Sequence, residues 1–395
     1  MKKLLLTSTA ALTLAAGAAA AQDIKIGIIL GFTGPLESIT PNMAAGAELA
    51  IAEVNEAGTL LDGQTVTSIR ADSTCIDASA ATAAAERLIT SEGVNAIMGA
   101  DCSGVTSAIL HNVAKPNGVV MVSPSATSPA LSADDDDGLF FRTAPSDARQ
   151  GVVMTEILMD RGISSVAVTY TNNDYGQGLA DSFVSAFTEA GGTVTINASH
   201  EDGRADYSSE VGALASAGGE VLVVAGYVDQ GGRGIIQAAL DSGAFDVFVL
   251  PDGMVGESLV ENIGSGLDGS FGQYPGTDSP GAALYAEMAS GAGFDGTSAF
   301  SSESYDAAAL IMLAMQAAGS TSSADFKDHI MAVANEPGEP IYPGELAKAI
   351  EILKEGGEID YVGATAVELI GTGESAGNYR EIEIQNGVIE TVGFR

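Results

Sequence analysis

The chain is 395 residues long and carries 16 Lys and Arg against 52 Asp and Glu, a formal net charge of −36. That balance excludes nucleic acid as a partner, because phosphate binding needs a cationic face. It argues equally against docking on anionic lipid and favours a solvated, soluble surface. The length exceeds what one hydrophobic core supports, so two lobes are expected.

The first 21 residues begin with Lys2-Lys3, continue through an apolar stretch from Leu4 to Leu14 and end in Ala18-Ala19-Ala20-Ala21. This is the pattern of a secretory signal cut before Gln22. The apolar run is too short and too rich in Ala and Thr to span a bilayer comfortably. Removal would leave 374 residues (395 less 21) with 14 Lys and Arg (16 less Lys2 and Lys3) against 52 acids, net −38. No cysteine follows the signal directly, which argues against a lipid anchor, and the product is expected to be free in the periplasm as a monomer.

Ile24 to Leu30 reads as a strand buried on both faces. It ends in Gly31-Phe32-Thr33-Gly34-Pro35, and a helix follows, with Thr40 as cap and Pro41 at its first position, stopping at Gly58. The pattern repeats with strands at 66–71, 96–99 and 119–122 and helices at 78–92 and 105–114. Alternating β and α elements with apolar strands predict a doubly wound parallel sheet, an α/β fold. Ligands of such sheets bind outside the carboxyl ends of the strands.

One such end is Ser123-Pro124-Ser125-Ala126-Thr127-Ser128-Pro129-Ala130-Leu131, hydroxyls fenced by two prolines. It reads either as a stiff seat for an anion such as a carboxylate or as an ordinary strand-to-helix loop with Ser/Thr capping. Ser103 belongs on the same rim as Ser125 and Thr127. Cys75 and Cys102 are the only cysteines; in an oxidising compartment two cysteines most often pair, with buried free thiols as the alternative. Asp134 to Asp137 reads as a solvated loop.

Leu139 to Pro145 is an extended crossing, after which the alternation restarts. Strands are expected at 165–170, 193–198, 221–225 and 246–250, with helices near 147–160, 176–190, 206–217 and 231–242. This half has its own rim: Asn172-Asn173-Asp174-Tyr175-Gly176, Gly226-Tyr227 and Pro251-Asp252-Gly253. Further crossings are placed near 271–277 and at Tyr361 to Thr365, with helices at 281–290, 303–318 and 323–334 between them. Asn386-Gly387 marks a terminal hairpin. The resulting division is a signal over 1–21, lobe I over 22–143 and 276–362, and lobe II over 144–275 and 363–395.

With these motifs assembled, the chain resembles the leucine/isoleucine/valine-binding type of periplasmic solute-binding protein of ABC transporters. The resemblance rests on the Gly31 to Pro35 loop, the Cys75/Cys102 pair with Ser103 directly after it, and the 123–131 segment. Arg142-Thr143 before Gln150-Gly151, and the Tyr175 to Ala180 helix start, complete it. It implies two Rossmann-like lobes joined by a three-segment hinge, a disulfide, no cofactor, and a small amino acid trapped between the lobes for a membrane permease. Carried over, Ser103, Ser125 and Thr127 would hold the ligand carboxylate, Tyr175 would meet the ligand from lobe II, and Tyr227 and Asp252 would bind its ammonium. Two departures stand out. Asp252 replaces the Glu often found in the family, and Ile39 stands where a Trp can cover the ligand, with no Trp in the chain. Phe32, Ile39 and Phe300 are the candidate pocket walls, with core packing as the alternative for Phe300.

An enzyme is disfavoured. His111, His200 and His329 sit in separate segments, no His-Glu-x-x-His or Gly-x-Ser-x-Gly is present, and Gly371 to Gly377 lacks the spacing of a dinucleotide loop. A metal centre likewise lacks ligands. A short amide, urea or an aromatic carboxylate as ligand, and a sensor reporting to a membrane receptor, remain the other readings; Asp252 argues against simple acids, which bring no cation to it.

Overall fold

A computed structural model describes residues 23–395; the signal sequence read over 1–21 lies outside them. The first half contributes β1 (Ile24–Leu30), β2 (Val66–Asp72), β3 (Ala96–Gly99), β4 (Met121–Ser123) and β5 (Phe140–Pro145). The second contributes β6 (Ser165–Thr171), β7 (Thr193–His200), β8 (Val221–Ala225), β9 (Phe248–Leu250) and β10 (Phe271–Pro275). The C-terminal third adds β11 (Glu339–Ile341), β12 (Ile359–Tyr361), β13 (Leu369–Ile370), β14 (Glu374–Ser375), β15 (Tyr379–Gln385) and β16 (Val388–Phe394).

These strands form two seven-stranded sheets, ordered β2-β1-β3-β4-β5-β14-β13 and β7-β6-β8-β9-β10-β15-β16, with β11 and β12 a separate parallel pair. The sheets are parallel from β2 to β5 and from β7 to β10. Helices cover both faces, so the central strands are apolar along their whole length: every residue of Val221–Ala225 is buried. In each lobe the chain winds one way from its first strand and then the other. The reversal falls between β1 and β3 in lobe I and between β6 and β8 in lobe II, which opens a crevice at the carboxyl ends of those strands.

Lobe I is centred on the helix Ser301–Ala318, buried on all sides from Ser301 to Gln316 apart from Ser302. It packs on the helix Thr40–Ala57, and Gly46 permits the close crossing: a Cβ there would lie 2.3 Å from the Ser301 carbonyl. The expected cap at Thr40 is not made. Thr40 is the first residue of that helix, and its hydroxyl donates to the Gly31 carbonyl (3.0 Å) instead, closing the end of β1. Of Asp134 to Asp137, Asp135 and Asp137 are exposed as expected, whereas Asp136 is not. Asp136 is buried and accepts from Gly138 N (2.8 Å), and Lys327 Nζ donates to the Asp137 carbonyl (2.6 Å).

The third crossing lies later than the sequence suggests. Residues 363–375 do not leave lobe I: β13 and β14 form a hairpin that adds β14 to β5, and only after Ser375 does the chain enter the second sheet through β15. Two-residue strands carry no periodicity, so nothing in the local pattern marks them. The β11–β12 pair, of three-residue strands, goes unmarked for a similar reason; the helix Leu346–Lys354 does carry a helical period, with Leu346, Ala349 and Ile350 buried, and the sequence reading omits it. The terminal hairpin turns at Asn386 and Gly387, both at positive φ (53° and 69°), as a tight two-residue turn requires.

Cys75 and Cys102 are joined, 27 residues apart. Replacing both with Ala should lower the free energy of unfolding by about 3–4 kcal/mol in a denaturant titration, the loop-closure value for that spacing. A second expectation concerns Glu303, buried at 1% exposure with Oε1 unpartnered. Burial pushes its carboxyl up to about 8. The folded chain therefore holds a proton there that the unfolded chain has already lost, and stability falls as pH rises from the ordinary Glu range through 8. Glu303→Gln should flatten that decline and stabilise the protein by roughly 2–4 kcal/mol at pH 8, measured by melts at pH 5 and pH 8.

Candidate functional site

The lobe I rim is built from strand ends tied to one another. Asp101, after β3, accepts from Gly31 N (2.8 Å) after β1 and from Ser73 Oγ (2.7 Å) after β2. The bridged Cys102 follows, and Ser103 opens the helix Ser103–Ile109. At the end of β4, Ser123 Oγ donates to the Ala100 carbonyl (2.5 Å) and accepts from Ala126 N (2.9 Å), curling the Ser-Pro loop back on itself. Ser125 Oγ donates to the Asp101 carbonyl (3.0 Å), and Ser103 Oγ accepts from Ser128 N (3.1 Å). From outside, Arg142 donates through Nη1 to the Ala126 and Ser128 carbonyls (2.9 and 3.0 Å) and through Nη2 to Glu374 (2.5 Å) and Ser132 Oγ (2.6 Å).

The lobe II rim is aromatic and acidic. Asn173 caps the helix Asp174–Glu189 through Gly176 N (3.0 Å) and donates to Tyr227 OH (3.3 Å). Tyr175 and Tyr227 stack at 5.2 Å with ring planes 19° apart. The Tyr175 hydroxyl donates to Asp252 Oδ1 (2.6 Å), which also accepts from Gly253 N (2.7 Å). Gly253 is required here, since a Cβ would come within 2.6 Å of the Gly226 carbonyl and 2.8 Å of Tyr175 OH. Asp252 is 1% exposed, and burial pushes its carboxyl up to about 6 against the pull of the Tyr175 and Gly253 hydrogen bonds.

The two rims meet. Ser38 N donates to Asp229 Oδ2 (2.9 Å), Asp229 N donates to the Pro35 carbonyl (3.0 Å), and the Ser38 and Ser258 hydroxyls are 3.1 Å apart. Between them lies a small pocket with about 250 Å³ of empty space, of which about 10 Å³ admits the centre of a water molecule. Ser103 and Ser125 line it from lobe I; Tyr175, Tyr227 and Asp252 line it from lobe II. A larger interlobe cavity with about 890 Å³ of empty space, which includes Tyr274 and Arg380, does not join these hydroxyls to Asp252.

Thr127 is not on the pocket wall. It is buried behind the loop, its carbonyl accepting from Asp147 N (2.8 Å) and its hydroxyl beside the Asp147 carboxyl. The apolar walls also differ from expectation. Phe32 is half-buried outside the pocket, under the Arg70 guanidinium at 5.5 Å. Ile39 is buried but faces the larger cavity. The turn after Gly34 delivers Leu36 instead, opposite Phe300, which holds a left-handed backbone at φ 61° just before its helix. Such a conformation is uncommon for a bulky residue and marks a constrained position.

Three contributors escaped sequence reasoning: Leu36, Asp147 and Gln150. Asp147 opens the helix Asp147–Asp160 and is fully buried. With its amide oriented to satisfy both ends, Gln150 donates to Asp147 Oδ1 (2.9 Å) and accepts from Asp252 N (3.1 Å). Burial, then the charge of Asp252, raises the Asp147 carboxyl well above the ordinary range, while Arg142 opposes the shift. The Gln150-Gly151 motif was the only signal pointing here.

The Ser103 hydroxyl, which accepts from Ser128 N and keeps its own proton to donate, and a buried carboxylate on the other lobe suit a ligand with a negative and a positive end. The one sulfur on the pocket wall, that of Cys102, is locked in the bridge to Cys75.

Comparison with known proteins agrees with this geometry. The periplasmic binding protein family model matches residues 23–342. The Leu/Ile/Val-binding protein homolog 1 of Brucella melitensis is 31% identical over 327 residues, 81% of this chain and 85% of that protein. Homolog 3 of the same organism is 34% identical over 231 residues, 58% of this chain and 61% of its own length. Among solved structures, the Streptococcus pneumoniae branched-chain amino acid transporter substrate binding protein, in complex with isoleucine, superposes with a TM-score of 0.78. Its identity is 22%, and the match covers 95% of this chain and 99% of that one. An ABC transporter solute-binding protein from R. palustris in complex with 4-hydroxybenzoate reaches 0.77, at 20% identity and 95% and 97% coverage. At these identities the structures establish the two-lobed fold, and the family match over most of the chain establishes that this protein belongs to the periplasmic binding proteins.

Proposed function

We propose that this protein captures a small L-amino acid, branched-chain or otherwise aliphatic, between its lobes and presents the closed form to the permease of an ABC importer. The supporting observation is the closed pocket that sets the Ser103 and Ser125 hydroxyls of lobe I against the fully buried Asp252 of lobe II. On this reading the hydroxyls take the ligand carboxylate, Asp252 with the Tyr175–Tyr227 stack takes its ammonium, and Leu36 and Phe300 enclose its side chain. Enclosing a zwitterion removes both charges from water, a cost offset only when each meets a fixed partner. The relatives named for leucine, isoleucine and valine point the same way. The signal sequence would carry the chain to the periplasm, where the permease is met.

A thermal-shift screen over amino acids, amides and aromatic acids tests the ligand class. A ligand at 100 times its dissociation constant adds about 2.7 kcal/mol of stability, and an aliphatic amino acid is expected to lead. With that ligand, Asp252→Ala should weaken binding by about 30- to 5,000-fold, equivalent to 2–5 kcal/mol, because an ammonium is left buried and unpaired. Ser103→Ala removes one neutral donor and should cost nearer 1–3 kcal/mol. If calorimetry shows the Asp252→Ala protein binding as well as its parent, the ligand has no ammonium there, and an aromatic acid becomes the better reading.

Closure should also be visible in solution. Small-angle scattering is expected to give a smaller radius of gyration with saturating ligand than without it, since three connecting segments between lobes would permit hinge closure. An unchanged radius would count against a trap.

A further inference from the structure

One turn of lobe I carries part of the pocket wall and also meets lobe II. Gly34, at φ 112°, brings the chain close to the Thr74 carbonyl, where a Cβ would lie 2.5 Å away. Pro35 to Ser38 then deliver Leu36 to the pocket and Ser38 to the surface. Lobe I holds this turn from its own side, because the Leu36 carbonyl accepts from Ile39 N (3.1 Å) and Thr40 N (3.2 Å) at the start of the helix Thr40–Ala57. Lobe II holds it from the other. Asp229 N donates to the Pro35 carbonyl (3.0 Å) and Asp229 Oδ2 accepts from Ser38 N (2.9 Å), so one residue grips the turn on both sides of Leu36. Ser258 Oγ donates to Asp229 Oδ1 (2.7 Å), which aims the carboxylate, and lies 3.1 Å from Ser38 Oγ. Beside them Ile39 meets Gly256 of lobe II, where a Cβ would lie 3.3 Å from Ile39 Cγ2. Asp229 does not line the pocket, but it shares the loop after β8 with Tyr227, which does.

We propose that Asp229 is a positioning residue that acts through the 34–39 turn as a latch, stabilising the closed arrangement of the lobes without touching the ligand. The inference rests on the trapping reading above but not on which ligand is trapped. The bonds within lobe I persist when the lobes part, whereas the bonds from Asp229 to Pro35 and Ser38 exist only when the lobes are together. Opening exchanges those contacts for water, and the net gain from keeping them shifts the balance between open and closed by the same factor for every ligand that closes the lobes. Ligand leaves from the open form, so that factor falls on the dissociation rate. The shared loop ties the latch to capture: the segment that seats the Tyr227 ring also carries the Asp229 carboxylate to Ser38.

Calorimetric titration and stopped-flow kinetics of the whole chain with L-leucine, L-valine and 4-hydroxybenzoate test the latch. Asp229→Ala should weaken binding of each compound that the parent takes by about 5- to 50-fold, mostly as faster dissociation. The ratio of its affinities for L-leucine and L-valine should stay within about twofold of the parent's. Asp229→Asn keeps an acceptor oxygen and should lose less. Ser258→Ala leaves the carboxylate unaimed and should lose about 2- to 5-fold. An Asp229→Ala affinity equal to the parent's overturns the latch and leaves the amino-acid reading standing; if the Asp229 variants do not fold, an unchanged affinity in Ser258→Ala overturns it instead. A loss that falls on L-leucine and spares L-valine also overturns it, since the substitution has then displaced Leu36 rather than loosened closure. If the parent takes 4-hydroxybenzoate and neither amino acid, the amino-acid reading fails, and the latch is judged on that acid by the same fold-change and dissociation rate.

Discussion

One buried guanidinium holds the binding rim of lobe I together. Arg142 is 1% exposed and points four hydrogen bonds at three separate pieces of chain: the Ser-Pro loop, the 129–133 turn and the β13–β14 hairpin. A planar donor fork is the side chain that can do this, because its geometry is fixed before the partners arrive. The strand that carries it, β5, is the last of lobe I before the chain first crosses over. The shape of the pocket and the start of the hinge thus depend on the same residue. Stripping Glu374 from the pair would leave a buried cation short of its charge partner, the situation in which buried ion pairs matter most.

Buried acids in this molecule fall into two kinds, and burial alone does not tell them apart. Asp306 and Asp252 are equally hidden and both are pushed to about 6. Asp306, however, accepts from Tyr361 OH, Ala364 N, Thr365 N and Thr365 Oγ1 within lobe I. Its bonding capacity is spent on architecture. Both bonds to Asp252 go to one oxygen, and the residue borders a space between lobes. Asp101 resembles Asp306: it borders the pocket, yet its two oxygens join the ends of three strands. Where the hydrogen bonds go, more than the titration range, separates a structural carboxylate from one left for a ligand.

Most of the framework was legible because it is periodic or punctuated. Continuous apolar strands, helix stops at glycine and the Asn386-Gly387 turn all act within a few residues, so the sequence displays them. The polar site residues were legible as strand-end residues, and Ser103, Ser125, Tyr175, Tyr227 and Asp252 do gather in one pocket. What stayed hidden depends on direction and distance. Phe32 and Leu36 sit four residues apart in one loop, and only its turn decides which faces inward. Thr40 looked like a cap until a carbonyl nine residues earlier claimed its hydroxyl. Residues 369–375 carry no pattern of their own and take their place from the edge of β5. Asp147 lay inside a recognisable motif, but its relation to Asp252 spans 105 positions.

The pocket divides its labour spatially. Its polar contacts come from strand ends locked by backbone bonds, a disulfide and stacked rings, whereas its apolar wall is Leu36 in a loop and Phe300 before a helix. On the proposed reading, a change at either wall position would alter the volume offered to a ligand side chain and leave the polar half untouched. Ligand choice could then change through substitutions at these two positions without dismantling the polar half. The strained backbone at Phe300 sets one limit on that drift: an aliphatic β-branched replacement there would meet a conformation it tolerates poorly, so exploration is channelled toward Leu36.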